Sequence, residues 1–231
     1  MNHTDIPVFI LTQDRRSCLD ILITRLETDG MRNLYILDTG STYPPMVEYL
    51  KRVQYPVVPC DMKNRRAPKF ALWDCDVLQR TKNLDRHFLY TDGDVVPDYD
   101  CPSDWAKYLL ELLAKYPKQP KAGLGLRLND LPDCYAYKGD VLKHEAALWQ
   151  KSVGPHLFDS QLDTTLALYA PGTPHRYHCL RTGGKYLIRH LPWYYNTANL
   201  PEEERYYLDH MHGHASYWAR RDWPKHRHPK K

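Results

Sequence analysis

The sequence predicts a single α/β domain in which a mostly parallel central sheet is flanked by helices, and three observations predict it. Short apolar runs rich in β-branched residues alternate with helix-period segments through the first hundred residues. Glycine, proline and aspartate punctuate the junctions between them. The fourth apolar run then delivers two aspartates at its carboxyl end, the edge at which sheets of this kind gather their ligands.

Taken in order, Pro7-Val8-Phe9-Ile10-Leu11-Thr12 is a short buried strand, followed by the loop Asp14-Arg15-Arg16-Ser17. Cys18, Leu19, Ile21, Leu22, Ile23 and Leu26 then fall at helical spacing, and Asp29-Gly30 ends that helix. Leu34-Tyr35-Ile36-Leu37-Asp38 is a second strand, and Thr39 to Pro45 is its loop, with a helix expected around residues 46–53. Val57-Val58-Pro59 gives a third strand, residues 70–79 a helix, and His87-Phe88-Leu89-Tyr90-Thr91 a fourth strand that runs into Asp92-Gly93-Asp94. Beyond it a helix is expected over 103–115 and a strand over 122–128, after which the periodicity becomes irregular and aromatic residues accumulate.

Composition limits the function classes. The chain has 231 residues without a Pro/Gly/Ser linker, which favours one domain, and its 42% hydrophobic and 26% charged content is that of an ordinary folded protein. No apolar run is long enough to cross a bilayer, and Met1-Asn2-His3-Thr4-Asp5 carries no basic leader region, so a cytoplasmic location is expected. Six dispersed cysteines include no C-x-x-C pair, which argues against a zinc ribbon and for reduced, structural thiols. A net charge of +4 leaves a weak electrostatic footprint for nucleic acid, and no nucleic-acid partner is expected. The basic tail over 223–231 reads either as a solvated end or as a peripheral contact with anionic headgroups at the inner face of a membrane.

The chemistry concentrates at Asp92-Gly93-Asp94. Two carboxylates with one small residue between them can anchor Mn2+ or Mg2+, hard cations that keep open positions for phosphate oxygens. Turn capping is the competing reading of such a pair. An EF-hand calcium loop is excluded, because Pro97 and Ser103 stand where it needs glycine and glutamate.

These motifs together resemble the family 2 type of GT-A glycosyltransferases. Ile10-Leu11-Thr12-Gln13-Asp14-Arg15 resembles the family's opening strand and loop, Tyr35-Ile36-Leu37-Asp38-Thr39-Gly40-Ser41-Thr42 its second strand and turn, and Tyr90-Thr91-Asp92-Gly93-Asp94 its metal motif. The resemblance covers about the first hundred residues. It implies a GT-A-like, Rossmann-like domain in which residues 1–100 hold a nucleoside-diphosphate sugar and residues 101–222 an acceptor, a glycan or glycoconjugate hydroxyl. Transfer with inversion, in the setting of polysaccharide biosynthesis, is what the family would bring with it.

Carried onto this chain, the resemblance puts Thr12, Asp14 and Asp38 at the nucleotide, and gives Asp92 and Asp94 the metal, with Asp92 also near the ribose. Arg65 and Arg66 are candidates for the diphosphate, since guanidinium forks match phosphate oxygens, although a solvated surface suits them equally. His190, in Arg189-His190-Leu191-Pro192-Trp193-Tyr194, is a candidate third metal ligand, with a hydrogen-bonded core histidine as the alternative. The family's Glu-Asp pair is missing from the second half, so the base that takes the acceptor proton stays open: Asp163 first, from a polar turn ahead of Leu166-Ala167-Leu168-Tyr169, with Glu145 and Asp130 as alternatives. Trp149, Trp193 and Tyr194 could face an acceptor sugar or simply fill a core. Glu202-Glu203-Glu204 opens what reads as a helix with exposed polar positions running to Tyr217. Two rivals remain, a sugar-1-phosphate nucleotidyltransferase, disfavoured by the absence of glycine in Thr12-Gln13-Asp14-Arg15-Arg16, and a non-catalytic protein that binds glycans or nucleotide sugars.

Overall fold

In a computed structural model, which describes residues 3–212, the chain alternates strand and helix through its first half as the periodicity requires. β1 (Val8–Thr12), α1 (Arg16–Thr28), β2 (Leu34–Asp38), α2 (Pro44–Leu50), β3 (Val57–Pro59), α3 (Ala71–Asp74), α4 (Val77–Arg80) and β4 (Phe88–Asp92) follow in order. Then come β5 (Val95–Pro97), α5 (Trp105–Lys115), β6 (Lys121–Gly123), β7 (Gly125–Leu126), α6 (Lys138–Ala146), β8 (Ser152–Gly154), β9 (Leu157–Gln161), β10 (Ala167–Tyr169), β11 (His178–Thr182), β12 (Leu187–His190) and α7 (Glu202–His210).

The main sheet has the order β3-β2-β1-β4-β10-β6-β11-β9-β8. From the pairings, β3, β2, β1, β4, β6, β11 and β8 run one way and only β10 and β9 run against them. β1 is paired on both sides and buried along its whole length, which is why Val8 to Leu11 read as an unbroken apolar run rather than an alternating one. Its side chains still alternate between faces. Val8 and Ile10 join a core with Leu19, Leu22 and Leu26 of α1 and Leu109 of α5, whereas Phe9 and Leu11 pack with Leu72 of α3 and Val77 and Leu78 of α4 on the other side.

Local chemistry sets the helix limits. α1 buries Cys18, Leu19, Leu22, Ile23 and Leu26 along one stripe and stops where Gly30 takes φ +87, a left-handed value that glycine adopts without strain. α2 begins on prolines whose fixed φ suits the first helical turn. The single helix expected over 70–79 is instead two four-residue turns, because Asp76 adopts φ 53 between them and interrupts the ladder.

The strand expected over 122–128 is also divided. β6 stays in the main sheet, and β7 belongs to a small second sheet of order β5-β12-β7. A Cβ on Gly125 would lie 2.3 Å from the Thr182 carbonyl, so only glycine lets the backbones approach as the chain passes between sheets. This small sheet positions His190: β12 pairs antiparallel to β5 with His190 opposite Val95, which sets His190 beside the turn that follows β4.

Candidate active site

The aspartate turn closes over the loop that follows β1. Gly93 N–H donates to the Leu11 carbonyl at 2.7 Å, and a Cβ at Gly93 would lie 3.1 Å from that oxygen and 3.3 Å from Thr12 Oγ1. A Cβ there would need Leu11 and Thr12 to give way slightly, so the closeness of the turn to the first strand favours the small residue between the two carboxylates.

The two aspartates sit in different environments. Asp94 is 9% exposed; its Oδ2 accepts from Arg15 at 2.5 Å and lies 3.5 Å from His190 Nε2, while its Oδ1 is buried with no partner among the described residues. Asp92 accepts from the Thr164 hydroxyl, and its own N–H donates to the Thr164 carbonyl at 2.7 Å. Burial, reinforced by the charge of Asp94, pushes the Asp92 carboxyl well above the usual carboxylate range. Burial also lowers His190, which keeps the imidazole neutral as a metal ligand must be, although Asp94 opposes that shift.

A divalent cation fits these residues: it would supply the partner that buried Asp94 Oδ1 lacks among the described residues, and its charge would oppose the burial and the Asp94 repulsion that raise Asp92. Among the described residues, no three His, Cys, Asp or Glu side chains form a preassembled cluster, so the pair would depend on ligand oxygens to complete a coordination shell.

Two cavities meet at this turn. The smaller, about 280 Å³, is lined by Thr12, Gln13, Arg15, Thr39, Lys69, Asp92, Asp94, Asp163, His190 and Tyr207 among others. The larger, about 1250 Å³, extends past Tyr135, Lys143, Glu145, Arg181 and Trp193. Arg15, Asp92, Asp163, Thr164 and His190 line both, so the carboxylate turn stands at their junction.

No protein-family model matches the chain, and no curated protein matches it. Among solved structures, the chain is similar to glucosyl-3-phosphoglycerate synthase from Mycobacterium tuberculosis in complex with Mn2+, UDP-glucose and phosphoglyceric acid, at 15% identity and TM-score 0.44, over 72% of this chain and 56% of that one. The same synthase without a named ligand gives 17% identity, TM-score 0.39, and coverage of 70% and 55%. A putative glucose-1-phosphate thymidylyltransferase from Bacillus anthracis in complex with a sucrose gives 14% identity and TM-score 0.39, over 72% of each chain. The chain thus spans little more than half the length of the synthase, 56%.

Several sequence candidates gather at the cavities and others do not. Thr12, Asp92, Asp94, Asp163 and His190 line the smaller cavity, and Asp38 lies just outside it, in register with Thr12, its Oδ1 accepting from Ser41 N–H at 3.0 Å. Asp14 is fully buried and does not line either cavity; its Oδ1 accepts from the N–H groups of Thr42 and Tyr43 at 2.6 and 2.7 Å, stapling the loop after β2 to the loop after β1. Arg65 and Arg66 are exposed outside both cavities, and Arg66 pairs with Asp74 and stacks on Phe70. The cation which that segment does send into the smaller cavity is Lys69.

The three base candidates separate clearly. Asp163 is the one at the junction, its side chain half exposed, with Lys69 Nζ 2.9 Å from Oδ2 and His175 Nε2 3.6 Å from Oδ1. Burial opposes ionisation there, but His175 and Lys69 outweigh it and hold the carboxyl below its usual range. Glu145 lines the larger cavity but is buried in an ion pair with Arg181. Asp130 lies outside both, bound to Arg189 and to the Tyr194 hydroxyl at 2.8 Å.

Among the aromatic candidates only Trp193 lines a cavity, with its ring 4.7 Å from His190. Tyr194 is turned to Asp130, and Trp149 is packed against Phe158 and under Arg181.

Three buried residues beside the site were hidden in the sequence: Arg15, Glu203 and Glu204. Arg15 stood in a loop of charged residues with nothing to distinguish it from Arg16, yet it is 6% exposed where Arg16 is exposed. Glu203 and Glu204, read as exposed, are 8% and 3% exposed, because α7 lies on the loop after β1: Glu204 holds Arg15, and Glu203 accepts the Ser17 N–H at 3.0 Å. Glutamates in a first helical turn are ordinary dipole partners, and that composition concealed a buried contact. The helix expected to run to Tyr217 ends at His210, where Met211 leaves helical geometry; residues 213–217 of that expectation, and the basic tail, lie outside the described residues.

Proposed function

We propose that this chain is a metal-dependent glycosyltransferase moving a sugar from a nucleoside-diphosphate donor to a hydroxyl of a glycan or glycoconjugate. The observation that carries the reading is that one carboxylate turn stands where a small cavity, bounded by the first two strand ends, opens into a larger one. A transferase needs that plan, with donor and acceptor meeting at the group that bears the leaving charge.

In this reading Thr12, Thr39 and the nearby Asp38 receive the nucleoside, and Asp92 and Asp94 hold Mn2+ or Mg2+, with His190 beside them. The ion, when bound, offsets the charge that develops on the departing diphosphate. Asp163 accepts the proton of the acceptor hydroxyl; its position at the shared wall supports the assignment, and its ionised state is favoured by Lys69 and His175. Trp193 offers the larger cavity an aromatic wall against which the C–H face of a sugar can rest. Inversion follows if Asp163 acts from the face opposite the leaving group, as in the family that the sequence resembles.

The test is direct. Purified protein is incubated with UDP, GDP, dTDP and CMP sugars in Mn2+, and release of the nucleotide is followed with and without candidate acceptors. Metal-dependent release from one donor class is expected. Saturable binding of a donor with no release under any condition would leave a binding protein in place of an enzyme.

A further inference from the structure

We infer that Arg15, fixed by Glu204 of α7, is a receptor for the diphosphate of the ligand, which makes the C-terminal helix part of the donor site. The inference rests on the donor reading above for the identity of the nucleotide, but the anion chemistry stands on the geometry of Arg15 itself.

Arg15 is tied on two sides. Its Nε and one terminal nitrogen donate to the two oxygens of Glu204, both at 2.6 Å, in a fork-to-fork pair; the other terminal nitrogen donates to Asp94 at 2.5 Å. Tyr207 places its ring under the guanidinium at 3.7 Å. A guanidinium has five N–H groups, and these contacts use three, which leaves one hydrogen on each terminal nitrogen. Arg15 lines both cavities, so those hydrogens belong to a side chain at their junction.

Such an arrangement is more than a buried ion pair needs. A single carboxylate fork would neutralise the guanidinium, and bringing Glu204 from the far end of the chain, nearly two hundred residues away, to hold its orientation is the work of a positioning residue. Lys69 faces the same small cavity from the segment after β3. Arg15, tied to Glu204 and Asp94, and Lys69, whose Nζ lies 2.9 Å from Asp163, both face this space, and a diphosphate has the bidentate oxygens to meet the N–H groups that those pairings leave over. Ser17, Tyr43 and Thr42 complete the attachment of α7 through Glu203 and Tyr206, so the helix that holds Arg15 is itself anchored on the loops after β1 and β2.

The experiment measures affinities of the full chain for inorganic pyrophosphate, a nucleoside diphosphate and the matching monophosphate by calorimetry at fixed free Mn2+. Arg15→Gln should weaken pyrophosphate and the diphosphate by about 10-fold or more and leave the monophosphate within about 3-fold. Because that variant leaves Glu204 buried without its partner, the double variant Arg15→Gln/Glu204→Gln, which removes the unpaired glutamate and leaves Asp94 to His190 and the Mn2+, is measured beside it at the same free Mn2+ and should show the same loss. In the wild type, the Arg15 Nε–H resonance should move as pyrophosphate is added. Unchanged pyrophosphate affinity in the double variant, or an unmoved resonance at saturation, overturns the proposal. Arg15-dependent pyrophosphate binding with no nucleotide binding would keep it and remove the donor reading instead.

Discussion

Replacing Asp92 and Asp94 one at a time by asparagine should give opposite results for stability in EDTA, although the sequence presents the two as a matched pair. The Asp92 carboxyl is raised well above its usual range by burial and by Asp94, so the folded protein binds a proton there more tightly than the unfolded chain does. The sign follows: stability is highest below the unfolded value of about 3.9 and falls as pH rises through the folded value. Asparagine is neutral, similar in shape and able to accept from Thr164, so Asp92→Asn removes that decline and should melt within about 2 °C of the wild type, or above it, at pH 7.5. Asp94→Asn takes from Arg15 a charged partner at 2.5 Å but leaves it the Glu204 fork. The expected cost is that of one charged hydrogen bond, about 1.5–3 kcal/mol, below the roughly 3–5 kcal/mol of a wholly unpaired buried charge. At about 2–4 °C per kcal/mol for a domain of this size, the melting temperature should drop by about 3–12 °C. Thermal unfolding followed by circular dichroism in EDTA reads both values. A fall in Asp92→Asn as large as that in Asp94→Asn would refute the different roles assigned to the two side chains.

Asp163→Asn should lower the transfer rate by at least about 100-fold while donor affinity stays unchanged; a variant that retains its rate moves the base elsewhere. Gly93→Ala should cost about 1–3 kcal/mol in stability, because its methyl meets the Leu11 carbonyl at 3.1 Å, and should weaken Mn2+-dependent donor binding as the turn shifts; intact binding would show that the turn tolerates displacement. Lys121 is fully buried, donating to the carbonyls of Leu162, Asp163 and Arg176, and burial pushes it down to about 8. Unfolding then takes up a proton between about pH 8 and 10.4, so the wild type should gain stability over Lys121→Met across that window by at most about 1.4 kcal/mol per pH unit. A pH-independent difference in chemical denaturation would contradict it.

The first half of the fold was legible because parallel strands buried on both faces leave continuous apolar runs, and β1 to β4 fall where those runs predict. The second half was not. β6 and β7 form one apolar stretch in sequence but belong to two sheets, a division made by the close approach of Gly125 to Thr182 that no periodicity encodes. At the site, the aspartate turn was legible from its place at a strand end, and His190 from its setting among aromatic residues. Lys69, His175 and Glu204 were not, since each acquires its role through a contact made far along the chain: Lys69 and His175 at Asp163, Glu204 at Arg15. Asp14 shows the converse. It occupies the position that the family resemblance gives to the nucleotide, yet two backbone N–H groups from the loop after β2 take its oxygen.

The most direct measurement is calorimetric titration of a nucleoside-diphosphate sugar into wild-type protein and into the Asp92→Asn/Asp94→Asn double variant, each in Mn2+ and in EDTA. Saturable binding by the wild type in Mn2+, lost in EDTA and lost in the folded double variant, is what a carboxylate-held metal at the junction of the two cavities predicts. Equal affinity with and without metal, or in both proteins, would contradict it.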